Sequence, residues 1–264
     1  MHEVLFAFLL TFFAGLSTGL GGIIALVFKR TNTKFLALCL SFSAGVMLYI
    51  SFVEIFAKAN ESLGYVHGDE RGLLFTSIAF FAGIGFIALI DKIIPRRVEE
   101  QNTMPTQSAL TPKDQKALKR MGLMSALAIA IHNFPEGLVT FMAALQDPAL
   151  GIPIAIAIAI HNVPEGIAIS APIYYATGSK KKALLFSFGS GLTEPLGAIV
   201  AYLLLARVLN ESMFGVAFAA VGGIMVFIAV HQLLPVAQKY GEHRQVMKGL
   251  FAGMGVMALS LVIF

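Results

Sequence analysis

The chain has 264 residues, of which 57% are hydrophobic and only 13% are charged, and its mean hydropathy is +0.81. Soluble domains carry charge on about a quarter of their residues, so this composition excludes an ordinary soluble fold and indicates a protein that crosses a lipid bilayer several times. The net charge of +4 is spread over short connections, which argues against a nucleic-acid-binding surface.

Apolar runs of about 20 residues, separated by polar breaks, predict an all-α membrane protein with eight transmembrane helices. In chain order these helices lie near residues 3–28, 35–57, 72–91, 120–145, 150–175, 183–206, 213–236 and 246–264. The polar stretch 92–119 contains Pro105 and Pro112 and predicts a flexible cytoplasmic linker between residues 1–91 and 120–264.

The basic residues predict how the helices are oriented. Sixteen of the nineteen Lys and Arg residues fall in connections on one side of the bilayer, and the other side holds only Lys58, Arg71 and Arg207. Because cytoplasmic loops are enriched in Lys and Arg, we expect both termini on the extracytoplasmic side.

A six-residue pattern occurs twice, 29 residues apart, in the fourth and fifth predicted helices. It reads His132-Asn133-Phe134-Pro135-Glu136-Gly137 and His161-Asn162-Val163-Pro164-Glu165-Gly166. A His and a Glu four residues apart share one helix face, and proline cannot donate to the carbonyl four residues before it. Each copy therefore predicts a kinked helix that offers an imidazole, a carboxamide and a carboxylate. Two such kinks facing each other would form a divalent-metal site inside the membrane.

Four glutamates lie within predicted helices, where no Lys or Arg lies at comparable depth: Glu54, Glu136, Glu165 and Glu194. A buried carboxylate without a basic partner must stay protonated, reach water or bind a cation, and the nearby histidines favour the cation. Imidazole and carboxylate suit zinc, iron(II), cobalt, nickel and manganese, while the absence of a Cys or Met cluster argues against copper(I). Asn133 and Asn162 would add oxygen ligands to an exchangeable site.

Several of these features can also be explained by helix packing alone, without a metal. A single histidine in a membrane helix more often packs through a hydrogen bond than binds a metal, and proline is common in such helices. The second copy of the pattern, and Glu194 in the next helix, favour the metal site. Glu54 and His231, in the second and seventh helices, either line an ion path or have only a structural role. In the structural alternative Glu54 is protonated or exposed to water, and His231 packs between helices.

The paired patterns, followed by Ser190-Gly191-Leu192-Thr193-Glu194-Pro195 in the sixth helix, resemble the ZIP (Zrt/Irt-like) family of divalent metal transporters, most closely its bacterial members. The resemblance implies a single transport domain with a 3+2+3 arrangement of helices, in which the outer triplets are inverted repeats and helices 4 and 5 are kinked. It implies import of zinc, and also of iron, manganese, cobalt and cadmium, across the inner (plasma) membrane of a bacterium.

The resemblance also implies which residues bind the metal, as substrate and as one ion or two. The first position would use His132, Glu136, His161 and Glu165. The second would use Asn133, Glu136, Asn162, Glu165 and Glu194, with both central glutamates bridging. Some members carry Gln-Asp where this chain has His161-Asn162, so the second position here has one acidic ligand fewer.

The resemblance favours a homodimer. Four-residue spacings of glycine, Gly15 with Gly19 and Gly249 with Gly253, let membrane helices approach closely and permit such a dimer.

We expect a secondary transporter rather than an enzyme, with no ATP site, because the GxxxxGK[ST] pattern is absent. The alternative from another class is an intramembrane zinc metalloenzyme. Against it, the HExxH signature is absent and the doubled pattern leaves no separate general base. A passive channel, which would not saturate, is a third interpretation.

Overall fold

The computed structural model describes residues 2–27, 33–93, 112–205 and 210–263, and all the regular elements in these ranges are helices. The α-helices are α1 His2–Val27, α2 Thr33–Ile50, α3 Phe56–His67, α4 Asp69–Ile93, α5 Pro112–Gln146, α6 Pro148–Thr177, α7 Lys180–Gly191, α8 Thr193–Leu205, α9 Glu211–Ile228, α10 Leu234–Tyr240 and α11 His243–Ile263. Two short π-helical segments, Ser51–Ile55 and Ala229–Leu233, join α2 to α3 and α9 to α10.

Eight segments of the described chain are long and apolar enough to cross a membrane, which confirms the predicted number of spans and the all-α class. They are His2–Val27, Lys34–His67, Asp69–Lys92, Ser125–Gln146, Pro148–Thr177, Lys180–Leu203, Glu211–Tyr240 and His243–Ile263. The second and seventh spans each contain a π-helical segment, and the sixth consists of α7 and α8.

Two helix ends differ from the prediction. The second span continues past residue 57 to His67, because the buried residues of α3 pack against α4 and α9 although polar residues interrupt its apolar run. Helix α5 begins at Pro112, where proline is favourable because the first N–H groups of a helix have no partner. The last residues of the predicted linker 92–119 are therefore helical, while residues 94–111 lie outside the described part of the chain.

Helix α6 lies at the centre of the bundle. It packs against α1, α2, α5 and α7, and 72% of its most apolar 18-residue stretch is buried inside the protein. The most apolar 18-residue stretches of α4 and α11 are only 28% buried, so these two helices lie at the periphery. Groups placed on α6 are therefore enclosed by other helices on most sides.

Two helix pairs, α2 with α11 and α4 with α9, meet backbone to backbone at glycines. A Cβ atom on any of these glycines would collide with a carbonyl oxygen of the partner helix: Gly45 with Leu250, Gly253 with Phe42, Gly83 with Ala220 and Gly223 with Phe80. Each π-helical segment begins six residues after the glycine on its own span, at Ser51 and at Ala229. The two pairs are thus built alike.

The four glycines singled out by their spacing are used within this chain. Gly15 lies against the carbonyl of Gly191, Gly19 against the Phe188 ring, Gly249 against Ser41 and Gly253 against the carbonyl of Phe42. Intrachain packing accounts for the spacing, so the homodimer stays a prediction.

Candidate metal centre

Helices α5 and α6 carry the repeated pattern, and each stays helical through its proline, Pro135 or Pro164. A tight turn joins them. The Asp147 side chain accepts a hydrogen bond from the Ala149 backbone N–H at 2.9 Å and so caps the start of α6. The far end of α6 stops at Gly178, whose φ of 64° is one that glycine adopts without strain. The turn places the two helices side by side.

Six of the seven residues predicted as ligands have fully buried side chains: Asn133, Glu136, His161, Asn162, Glu165 and Glu194. The seventh, His132, lies in α5, but its side chain is outside the described part of the structure. Burial of three carboxylates, an imidazole and two carboxamides is costly unless these groups pair with one another or with a cation.

His161 and Glu136 join the two pattern helices directly. The imidazole Nε2 lies 3.3 Å from the Glu136 carboxylate Oε2. This contact links the histidine of one copy to the glutamate of the other, so the two copies of the pattern face each other, while the kinks stay a prediction. The two side chains place one nitrogen and one oxygen atom, both able to bind a metal ion, next to each other.

Asn162 links α6 to α1 and α8. Its Nδ2 donates to the Glu194 carboxylate Oε1 at 2.5 Å and to the Ala14 carbonyl at 3.0 Å. Glu194 on α8 is thereby brought to the pattern of α6, as the predicted second position requires.

Asn133 is held in a similar way. Its Nδ2 lies 3.5 Å from both the Thr18 hydroxyl and the Ser190 carbonyl. Thr18 comes from α1 and Ser190 from α7, so this second carboxamide is also held between two neighbouring helices.

Two hydroxyl residues at the site were missed by sequence reasoning. Ser43 on α2 donates to the Glu165 carboxylate Oε1 at 3.1 Å and approaches the His161 carbonyl at 3.4 Å. Thr18 is the partner of Asn133. The one available signal was a polar residue inside an apolar helix. Such hydroxyls usually bond to their own helix backbone, as Thr11 does to Ala7 at 2.9 Å.

Among the described residues, four buried oxygen atoms of the site have no hydrogen-bond partner in the described part of the chain: Asn133 Oδ1, Glu136 Oε1, Asn162 Oδ1 and Glu194 Oε2. Carboxylate and carboxamide oxygens are suitable ligands for a divalent cation, especially beside an imidazole. Within the described residues, however, no three His, Cys, Asp or Glu side chains converge tightly enough to hold a metal ion. The structure therefore gathers the predicted residues in one buried region, and the membership of each metal position stays a prediction.

The two path candidates both lie in π-helical segments, which are often found at functional sites. Glu54 is partly buried in the first segment. His231 is in the second, half-exposed, with its Nε2 3.4 Å from the Asp91 carboxylate of α4 and its ring against Phe227. The role of both residues in an ion path stays a prediction.

Comparison with known proteins identifies the family. The chain matches the family described as "ZIP Zinc transporter" over residues 2–120 and 111–261. It is 56% identical to the zinc transporter ZupT of Chlorobaculum parvum over 99% of this chain and 98% of the relative. The ZupT proteins of Clostridium perfringens and Streptococcus mutans are each 54% identical over the whole of this chain, covering 98% and 100% of the relative.

The family and the names of these relatives identify a transporter rather than an enzyme, which confirms the sequence prediction and removes the metalloenzyme alternative. The eight apolar helices agree with a multi-pass protein of the membrane. The chain belongs to the ZIP family and is an integral membrane transporter of divalent metal ions.

Proposed function

We propose that this transporter imports divalent transition-metal ions into the cytoplasm, and that the ion binds in the buried cluster of α5, α6 and α8. Zinc is the leading substrate, since the relatives are named zinc transporters, with iron, manganese, cobalt and cadmium as further substrates of the same donor set. The ion is cargo that occupies the site as one ion or two.

The unpartnered oxygens carry this proposal. Leaving a buried polar atom without a hydrogen bond costs about 1–3 kcal/mol, and more for a charged group. Within the described residues, four such atoms lie on Asn133, Glu136, Asn162 and Glu194, which belong to α5, α6 and α8. A divalent cation coordinated by these oxygens offsets the cost. Deprotonated carboxylates are what such a cation requires.

The helix packing supports a mechanism in which α5 and α6 move. The close glycine contacts join α2 to α11 and α4 to α9 as two similar pairs, in keeping with the 3+2+3 arrangement. In the proposed cycle the ion sheds water and is captured by the cluster. Helices α5 and α6 then move against the outer helices and open the site to the cytoplasm.

The orientation proposed for the protein follows from its charge. With sixteen of nineteen Lys and Arg residues on one side, that side is the cytoplasm, and both termini are outside it. The protein would then lie in the plasma (inner) membrane of a bacterium. We retain the homodimer as a proposal, with the poorly buried faces of α4 and α11 free for lipid or for a second copy.

Uptake into reconstituted vesicles tests the proposal. Purified protein is inserted into sealed liposomes, and accumulation of Zn²⁺, Fe²⁺, Mn²⁺, Co²⁺ and Cd²⁺ is followed with and without a pH gradient. Protein-free liposomes are the control. We expect saturable accumulation with zinc among the preferred ions, whereas a passive channel would give no saturation. No accumulation of any of these ions above the control would overturn the proposal.

A further inference from the structure

The contacts of the two pattern asparagines repeat with a fixed offset in sequence. Each Nδ2 reaches one backbone carbonyl and one side-chain oxygen on neighbouring helices. The carbonyls belong to Ser190 for Asn133 and to Ala14 for Asn162. The side-chain oxygens belong to Thr18 and Glu194. In both cases the residue on α1 lies 176 positions before its counterpart on α7 or α8.

Glycine contacts repeat with the same offset. Gly137 of α5 lies against the carbonyl of Glu194, and Gly166 of α6 lies against the carbonyl of Thr18. Gly15 of α1 and Gly191 of α7, also 176 positions apart, lie against each other's carbonyl oxygens.

Exchanging α5 with α6, and α1 with α7 and α8, therefore maps one set of contacts onto the other. The bundle has an internal two-fold relation around the site. By this relation Thr18 takes the place on one side that Glu194 takes on the other.

We infer that Thr18 is a positioning residue of the metal site, which holds the Asn133 carboxamide so that its Oδ1 is available to the ion. The inference rests on the proposed function of the buried cluster. An amide whose NH₂ group is engaged presents its oxygen, whereas a flipped amide would present two N–H donors and repel a cation. Both Asn133 Oδ1 and Asn162 Oδ1 are buried and have no hydrogen-bond partner in the part of the chain that the structure describes, as this orientation requires.

Thr18 is itself held firmly. Its side chain is fully buried, its carbonyl accepts a hydrogen bond from the Ser187 hydroxyl at 2.7 Å, and Gly166 packs against the same carbonyl. A fixed backbone and a stiff β-branched side chain keep the hydroxyl in one place. The hydroxyl meets Asn133 at 3.5 Å, a longer contact than the 2.5 Å between Asn162 and Glu194. Asn133 is thus the more loosely held amide of the two.

The two sides of the site that the two-fold relation exchanges differ in charge. Glu194 contributes a carboxylate beside Asn162, while Thr18 contributes a neutral hydroxyl beside Asn133. Thr18 orients a ligand without adding a negative charge, so the ion meets three buried carboxylates, Glu136, Glu165 and Glu194.

The test uses three variants in α1. Thr18→Val removes the hydroxyl and keeps the shape, Thr18→Ser restores a hydroxyl, and Thr11→Val removes a buried hydroxyl that bonds only within α1 in the described contacts. Zinc affinity of the purified full-length protein is measured by titration with the metal alone, and KM and maximal rate are measured in vesicles. We expect Thr18→Val to weaken affinity and raise KM about fivefold, as loss of one hydrogen bond implies, with the maximal rate nearly unchanged. Thr11→Val should resemble the wild type, and Thr18→Ser, which keeps the hydroxyl on a less rigid side chain, should lose less affinity than Thr18→Val.

A double-mutant cycle with Asn133→Ala separates positioning from packing. If Thr18 acts through Asn133, adding Thr18→Val to Asn133→Ala changes zinc affinity no further. Additive losses, an unchanged affinity in Thr18→Val, or an equal loss in Thr11→Val would each overturn the inference. If Thr18→Val does not fold, as judged by melting without zinc, Thr18→Ala takes its place in the cycle.

Glu136→Gln distinguishes failure of this inference from failure of the proposed site. Loss of zinc binding in Glu136→Gln together with a silent Thr18→Val rejects only the role of Thr18. Normal zinc binding in Glu136→Gln rejects the proposed site, and the role of Thr18 with it.

Discussion

His161 Nε2 lies 3.3 Å from Glu136 Oε2, and neither side chain is exposed to solvent. The contact joins the histidine of one pattern to the glutamate of the other across two helices. In the proposed site both groups would bind the ion in place of each other. The two predicted ligands are therefore already side by side without metal, which would reduce the ordering cost of binding an ion there.

Loss of the imidazole should weaken metal binding strongly. We expect His161→Ala to lower zinc affinity by at least about tenfold, because the site loses its one described nitrogen donor. Titration of the purified protein with zinc measures the effect. His243→Ala, which changes an exposed histidine at the start of α11, is the matched control and should bind zinc normally. Equal affinities for the two variants would exclude His161 as a ligand.

Asn162→Asp should make the protein depend on metal for stability. The change sets a second carboxylate against Glu194, where the amide now donates at 2.5 Å, and two adjacent carboxylates need a shared proton or a cation. We expect a lower Tm than wild type without metal at neutral pH and a larger rise in Tm on adding zinc.

The swapped pair is the control for that variant. Asn162→Asp combined with Glu194→Gln keeps one amide and one carboxylate, so its Tm without metal should stay near that of the wild type. A single variant that melts like the wild type, both with and without zinc, would show that the second metal position is not used.

The fold was largely predictable because membrane spans follow from local composition. The eight spans and the burial of the pattern residues needed only apolar run length and the repeat. The extension of the second span to His67 was not predictable, because polar residues such as Lys58 and Glu61 end the apolar run. The helix continues because α3 packs against α9. Thr18 and Ser43 were missed for the same reason: which helix a hydroxyl faces depends on tertiary packing.

The glycines of α11 give a direct test of the packing. Gly253→Ala would drive a Cβ into the Phe42 carbonyl of α2, whereas no atom of the described residues lies within 4 Å of a Cβ at Gly255, two residues further on. We expect Gly253→Ala to destabilise the protein by about 1–3 kcal/mol and Gly255→Ala to be neutral or slightly stabilising. Thermal melting in detergent compares them, and equal Tm values would contradict the close contact between α2 and α11.

Transport should fall as the external pH drops. Metal binds the deprotonated forms of His and Glu, so protons and metal compete for the same groups. Imidazole has an ordinary pKa near ~6.5 and cannot bind metal when protonated. Binding is therefore fullest at higher pH and is lost on acidification, and the pH midpoint of uptake should move down as the metal concentration rises. A midpoint that stays fixed over a wide range of zinc concentration would place the titrating group outside the metal site.

Zinc uptake by vesicles containing Glu136→Gln, beside wild type and Glu242→Gln, tests the central claim most directly. Glu136 is fully buried at the contact between the two patterns, whereas Glu242 is an exposed residue paired with Lys34 at the surface. Both variants lose one carboxylate, so a general effect of charge would change both. We expect Glu242→Gln to transport like the wild type and Glu136→Gln, correctly inserted and folded, to show no saturable uptake, with Glu165→Gln and His132→Ala comparably impaired. Normal saturable uptake by Glu136→Gln would contradict the proposal that the metal ion binds and crosses at this site.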